Sequence, residues 1–202
     1  MKKALAICVG LAAILVANQA EARQRGLFGF LFNGPQNTYQ SARPSAQPAR
    51  YASAYDPKYL RQTVHVQTEH APGSVLIDTH NKFLYYVLGD GRAIRYGVGV
   101  GRAGFEWTGT QFVSRKAEWP DWRPPAEMRQ RQPYLPEFMP GGENNPLGAR
   151  AMYLGSTLYR IHGTNDPSTI GKNISSGCIR LRNEDVIDLY ARVEVGAKVV
   201  VF

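Results

Sequence analysis

The chain has 202 residues, 44% hydrophobic and 20% charged, as expected of a globular protein with a core to bury. Its 24 basic and 16 acidic residues give a net charge of +8, which favours polyanions or an anionic envelope surface. No basic helix or RNA-binding signature accompanies that charge, so no nucleic-acid partner is expected.

Lys2 and Lys3 precede an uncharged run of 14 residues, 4–17 (ALAICVGLAAILVA). That is short of the roughly 20 residues of a membrane-spanning helix. Ala20-Glu21-Ala22 supplies a small-x-small cleavage site before Arg23. Residues 1–22 therefore read as a signal peptide and the protein as exported, to the periplasm or cell envelope; an uncleaved anchor is the alternative. Cys8 would leave with the signal, so Cys178 is expected as the single thiol of the mature chain. Cleavage removes Lys2, Lys3 and Glu21, leaving a net charge of +7.

Residues 23–60 hold Pro35, Pro44, Pro48 and Pro57, much Ser, Ala, Gln and Asn, and one acid, Asp56. That composition buries too little apolar surface to offset its ordering entropy, so a flexible linker is expected, with one apolar patch at 27–32 (LFGFLF). The domain is expected over 61–202. Short β-branched and aromatic runs separated by turn residues begin near Val64 and continue at 74–78, 82–88 and 93–100. His65, His70 and His80 fall in strands or bends, and no group of residues has zinc spacing. Gly99-Val-Gly101-Arg-Ala-Gly104 matches GxGxxG, but strand-like residues follow it, where a dinucleotide site requires a helix. No cofactor and no metal is therefore expected. Further strand character appears at 110–114, 117–119, 151–154 and 159–162.

Between them lies an irregular stretch, 120–150, with seven prolines, Gly141-Gly142 and one short helix expected at 126–131. A loop of this length inside a domain suggests a substrate-facing role. Trp119, Trp122, Tyr134 and Phe138 would line a groove or pack beneath it.

The stretch 161–182, IHGTNDPSTIGKNISSGCIRLR, joins a histidine on an apolar run to a cysteine sixteen residues later. Asp166-Pro167 predicts a capped turn, and Asn183 as cap with Glu184 and Asp185 in the first turn predicts a helix. A thiol is mostly protonated at neutral pH, and an adjacent imidazole can accept its proton and stabilise the thiolate as an ion pair. His162 and Cys178 are the candidate catalytic pair. A carbonyl such as that of Gly163 would orient the imidazole. Gly177 permits a tight turn, so backbone N–H groups near Ser176 and Gly177 could converge on an oxyanion. Arg180 could pair with a substrate carboxylate, or with a loop carbonyl or acid instead.

IHGT, SSGCIRL and NEDVIDLY resemble the YkuD-type L,D-transpeptidase family of bacterial envelope enzymes. SVLIDTHNKFLYYV, YGVGVGRAGFEWTGT and NNPLGARAMYL are similar to it as well. The resemblance covers about residues 63–202. It implies a mainly β, sandwich-like catalytic domain with one or two short helices and a long substrate loop. It also implies Cys178 as nucleophile, His162 as base and proton donor, oxyanion support around Ser176, Gly177 and Gly163, and substrate contacts from Arg180 and Ser175. Peptidoglycan tetrapeptide stems would be donors, with a second stem or an envelope protein as acyl acceptor, and carbapenems would inhibit covalently. The alternatives are an L,D-carboxypeptidase or hydrolase, with water as acceptor, and a non-catalytic wall-binding module. One departure stands out: the family pattern has histidine where this chain has Ser176.

Overall fold

A computed structural model describes residues 56–202; the expected signal peptide, the patch at 27–32 and the linker through Tyr55 lie outside the described residues. Residues 57–60, which composition grouped with the linker, are folded. Pro57–Tyr59 form a 3₁₀ turn capped by Asp56. A β-carbon at Gly97 would strike the Tyr59 backbone, and one at Gly171 would strike its ring, so glycine at both positions lets this turn lie against the domain.

The strands are β1 (Gln62–His65), β2 (Val75–Asp78), β3 (Phe83–Gly89), β4 (Arg92–Gly97), β5 (Val100–Gly101), β6 (Gly109–Glu118), β7 (Arg150–Leu154), β8 (Arg160–His162), β9 (Asn173–Ser175), β10 (Ile179–Arg180) and β11 (Lys198–Val201). Among the described residues two helices, α1 (Ala126–Arg131) and α2 (Asn183–Arg192), complete a mainly β fold. Nine strands run in the order β1-β4-β3-β2-β11-β6-β7-β8-β10, and β5 pairs with β9. The runs at 110–114 and 117–119 are one strand, not two. The first half of β6 pairs with β11 and the second with β7, with a register irregularity between Val113 and Arg115. The two halves of the sheet thereby share one core, in which Val75, Ile77, Leu84 and Tyr96 join Met152, Leu154, Ile161 and Ile179. Strand, not helix, follows the Gly99–Gly104 run.

Helix α2 buries Val186 and Leu189 in that core. Lys116 of β6 donates to the Tyr190 and Val193 carbonyls at 2.7 and 2.6 Å, closing the C-terminal end of the helix. At the other end Arg182, 7% exposed, grips Asp185, 1% exposed, at 2.8 and 2.6 Å. Asn183 is not the helix cap that its type suggested. Arg182 holds that position, and the Asn183 Oδ1 instead accepts from Ala149 N at 2.9 Å and Thr164 N at 3.3 Å. One side chain thus ties the start of β7 to the segment leaving β8. β-Carbons at Gly148 and Gly163 would both collide with this oxygen.

Replacing Asn183 with alanine strands two partly buried N–H groups and should cost about 2–4 kcal/mol of stability. Asn183→Asp, which keeps the acceptor, should lose less. Urea unfolding of both variants checks this, and a loss below about 0.5 kcal/mol for the alanine variant would remove Asn183 from this tying role.

Candidate active site

Strands β8 and β10 are short, parallel and in register, Ile161 opposite Ile179 and His162 opposite Arg180. Alternation sends every second side chain to the same face. Ile161 and Ile179 point into the core beside Met152 of β7, while His162 and Arg180 point the other way. Two residues before Arg180, Cys178 falls on that second face, across from Arg160. The same face carries a row from Arg115 through Tyr153 to Arg160, and a second from Ala117 through Ala151 to His162. Alanine at position 151 leaves room beside the imidazole.

Arg160, His162, Cys178 and Arg180 floor a cleft of about 670 Å³. Residues of the 120–148 segment form its opposite wall, among them Trp122, Pro125, Met128 and Leu147. Of the four aromatics expected there, only Trp122 lines the cleft; Trp119, Tyr134 and Phe138 are exposed. The segment is fastened at its base by Asn145, 1% exposed, whose amide donates to the carbonyls of Pro120, Met139 and Pro140 at 3.0–3.2 Å. Carbonyls from two separated stretches converge on this one amide, a requirement invisible to periodicity.

His162 is 3% exposed, and its Nδ1 lies 2.6 Å from the Gly163 carbonyl oxygen. A carbonyl only accepts, so this contact assigns the hydrogen to Nδ1 and leaves Nε2 with its lone pair. Burial pushes the imidazole down to about 3, and the charges of Arg180 and Arg160 add to that, against the opposing pull of the Gly163 and Leu147 carbonyls. Burial likewise pushes the half-buried Cys178 thiol up, with Arg160 and Arg180 pulling against it. Burial thus favours a neutral imidazole and a neutral thiol in the free site over the ion pair expected from residue types alone. Desolvation is the largest influence on each group, and it disfavours the charged form of both.

The loop carrying the cysteine is closely braced. Ser175, expected to touch substrate, is 1% exposed and commits its hydroxyl to the loop, donating to the Cys178 carbonyl at 2.6 Å and accepting from Gly177 N at 3.1 Å. The Gly177 N–H is thereby occupied, and the Gly163 N–H is held by the Arg150 carbonyl at 3.0 Å. Neither is free for an oxyanion; the Cys178 N–H has no acceptor among the described residues. Gly177 itself has φ +101°, and a β-carbon there would strike Tyr159. Trp107 stacks on Tyr159 at 4.6 Å and donates its indole N–H to the Gly177 carbonyl at 2.8 Å. Ser176 accepts from Arg102 at 3.2 Å, and Arg102 rests over the Phe105 ring. At the position where the family pattern has histidine, a guanidinium from the β5–β6 connection reaches in.

Sequence reasoning missed Arg102, Trp107, Tyr159 and Arg160. Arg160 alone was signalled, since alternation from His162 puts it on the same face.

The profile described as the L,D-transpeptidase catalytic domain, YkuD, matches residues 72–201. The Escherichia coli (strain K12) protein named probable L,D-transpeptidase ErfK/SrfK is 40% identical over 134 residues, 62% of this chain and 42% of that protein. The chain thus spans less than half the length of that relative. A crystal structure from Brucella melitensis, described as a probable carnitine operon oxidoreductase, is 46% identical, with a TM-score of 0.50 over 74% of this chain and 97% of that one. The structure of the Ldtfm–avibactam carbamoyl enzyme shares the fold at 20% identity, with a TM-score of 0.52 over 66% of this chain and 49% of that one. With the match running through both halves of the sheet and the His162–Cys178 stretch, the chain belongs to the L,D-transpeptidase catalytic-domain family.

Proposed function

We propose that the protein is an exported cysteine acyltransferase that acts on peptidoglycan stem peptides. The observation that carries this reading is the shared face of β8 and β10, which presents the His162 imidazole and the Cys178 thiol to one cleft. Cys178 Sγ attacks the carbonyl joining the L-centre of a diamino acid to the terminal D-Ala of a tetrapeptide. His162 takes the thiol proton, and the Cys178 N–H supports the oxyanion. The carbon–nitrogen bond then breaks, the imidazolium returns the proton to the leaving amine, and D-Ala departs from a thioester. An acceptor amine loses its proton to the neutral imidazole and displaces the thiol, restoring the free site. A second stem peptide as acceptor gives a 3→3 cross-link, and an amine of an envelope protein gives its attachment to the wall.

Because both groups start neutral, proton transfer accompanies the attack. The Arg180 charge is, after burial, the main influence holding the imidazole neutral. A substrate carboxylate seated on Arg180 would offset that charge and favour the imidazolium at the moment it is needed. Donor binding thus prepares the base.

Incubating the mature protein with purified disaccharide-tetrapeptides and weighing the products tests the reading. Dimers support transfer; tripeptides with free D-Ala identify water as the acceptor; unchanged donor with an intact thiol overturns the enzymatic reading. Cys178→Ala should lose at least about a thousand-fold in rate. A carbapenem should add its mass to the wild type and not to Cys178→Ala, and equal shifts in both proteins would remove Cys178 from the nucleophile role.

The buried imidazole also marks stability. An imidazole held at about 3 when folded and near 6.5 when unfolded makes the unfolded chain bind more protons across that interval. Stability should therefore fall as pH drops from 6.5 towards 3. Thermal unfolding midpoints between those limits should fall more steeply for wild type than for His162→Gln; parallel curves would show that the ring is not held neutral.

A further inference from the structure

Arg160 and Arg180 stand at opposite corners of a four-residue square completed by Cys178 and His162. Two residues of strand rise and one interstrand spacing put their backbones about 8 Å apart. Both line the cleft, and both have a buried Nε with no hydrogen-bond partner. Arg160 lies over the Tyr153 ring at 5.1 Å, with Arg115 over the same ring at 3.7 Å. The guanidinium also hydrogen-bonds the Cys178 sulfur, and its Nε is the position left for another partner. The cleft also contains Arg102 and Arg131, against one acid, Glu127. Burying a guanidinium N–H without an acceptor is costly, and a ligand carboxylate is a group that relieves it.

The orientation of a donor follows from the proton. The leaving amine must lie by His162 to be protonated, and Arg180 is the registered neighbour of His162. Arg180 is thus placed for the carboxylate of the leaving residue. Arg160 lies one row back, beside the cysteine and away from the leaving group. We infer that Arg160 is a specificity residue that binds a free carboxylate on the acyl side of the scissile bond, carried by the diamino acid or by the residue before it. This rests on the acyl-transfer reading above. Amidating that carboxylate would remove its charge and turn an N–H donor towards a guanidinium that has only donors.

The test compares three donors: the unmodified tetrapeptide, one amidated at the side-chain carboxylate of the diamino acid, and one amidated at the carboxylate of the preceding residue. Wild type should prefer the free acid over one of the two amides by roughly ten- to hundred-fold in kcat/KM, and the amide that suffers identifies the carboxylate read. Arg160→Gln should bring that preference to within about two-fold, the residue left when a charge-assisted contact is lost. Because each ratio compares donors on one protein, changes in thiol reactivity or folded fraction cancel. If the glutamine variant does not fold, Arg160→Met, which keeps the apolar stem, is read in the same way. Wild-type ratios near one for both amides, or an unchanged ratio in the variant, would overturn the inference. If wild type turns over no donor, the acyl-transfer reading falls by itself. The same ratios are then read as affinities of the three peptides for Cys178→Ala by titration calorimetry, with the same outcomes for and against Arg160.

Discussion

The parallel register of β8 and β10 is the constraint on which the rest depends. Ile161 and Ile179 are opposite each other and sealed into the core beside Met152, Val186 and Leu189. A slip of one residue would drive His162 or Arg180 into that core and expose an isoleucine, an exchange the apolar face does not allow. Positioning of the polar face is therefore enforced from behind, by packing. Asn183 extends this logic, since its single oxygen holds the ends of two segments that flank the imidazole.

The electrostatics of the cleft are set by a contest between burial and two guanidiniums. Burial favours neutral forms of both the thiol and the ring, whereas the positive charges favour thiolate and oppose imidazolium. The arginines thus assist one half of the proton transfer and resist the other. On the proposed acyl-transfer reading, a carboxylate brought by a substrate would shift that balance and couple recognition to reactivity through charge alone. No rearrangement of the loop is required for this coupling, because Ser175, Trp107 and Tyr159 already brace it.

Much of the fold was legible in the sequence, because β-branched runs and turn residues mark strands locally. Helix α1 is legible from Pro124-Pro125 and the run after it, and α2 from its acidic first turn and apolar spacing. The two-residue strand β10 was not, since its pairing with β8 is a long-range event that two residues cannot advertise. Nor was the continuity of β6, whose bulge near Ser114 interrupts the alternation that defines a strand. In the site, His162 and Cys178 stand out by type and context. The duties of Ser175, Ser176 and Asn183 do not, because a hydroxyl or an amide has many possible partners and only the folded chain selects among them. The protonation of the pair was likewise hidden, because desolvation belongs to the cleft and not to the residue.

Partial burial of the Cys178 thiol has one more effect. Oxidants, like alkylating agents, react with thiolate, and a thiol whose ionisation is suppressed by burial reacts slowly with them. The weak contact of the sulfhydryl with the Leu158 carbonyl, at 3.7 Å, adds a neutral hydrogen-bonded resting form. On the acyl-transfer reading, the burial that tempers the reactivity of the thiol also slows its oxidation, so both are governed by the same few atoms.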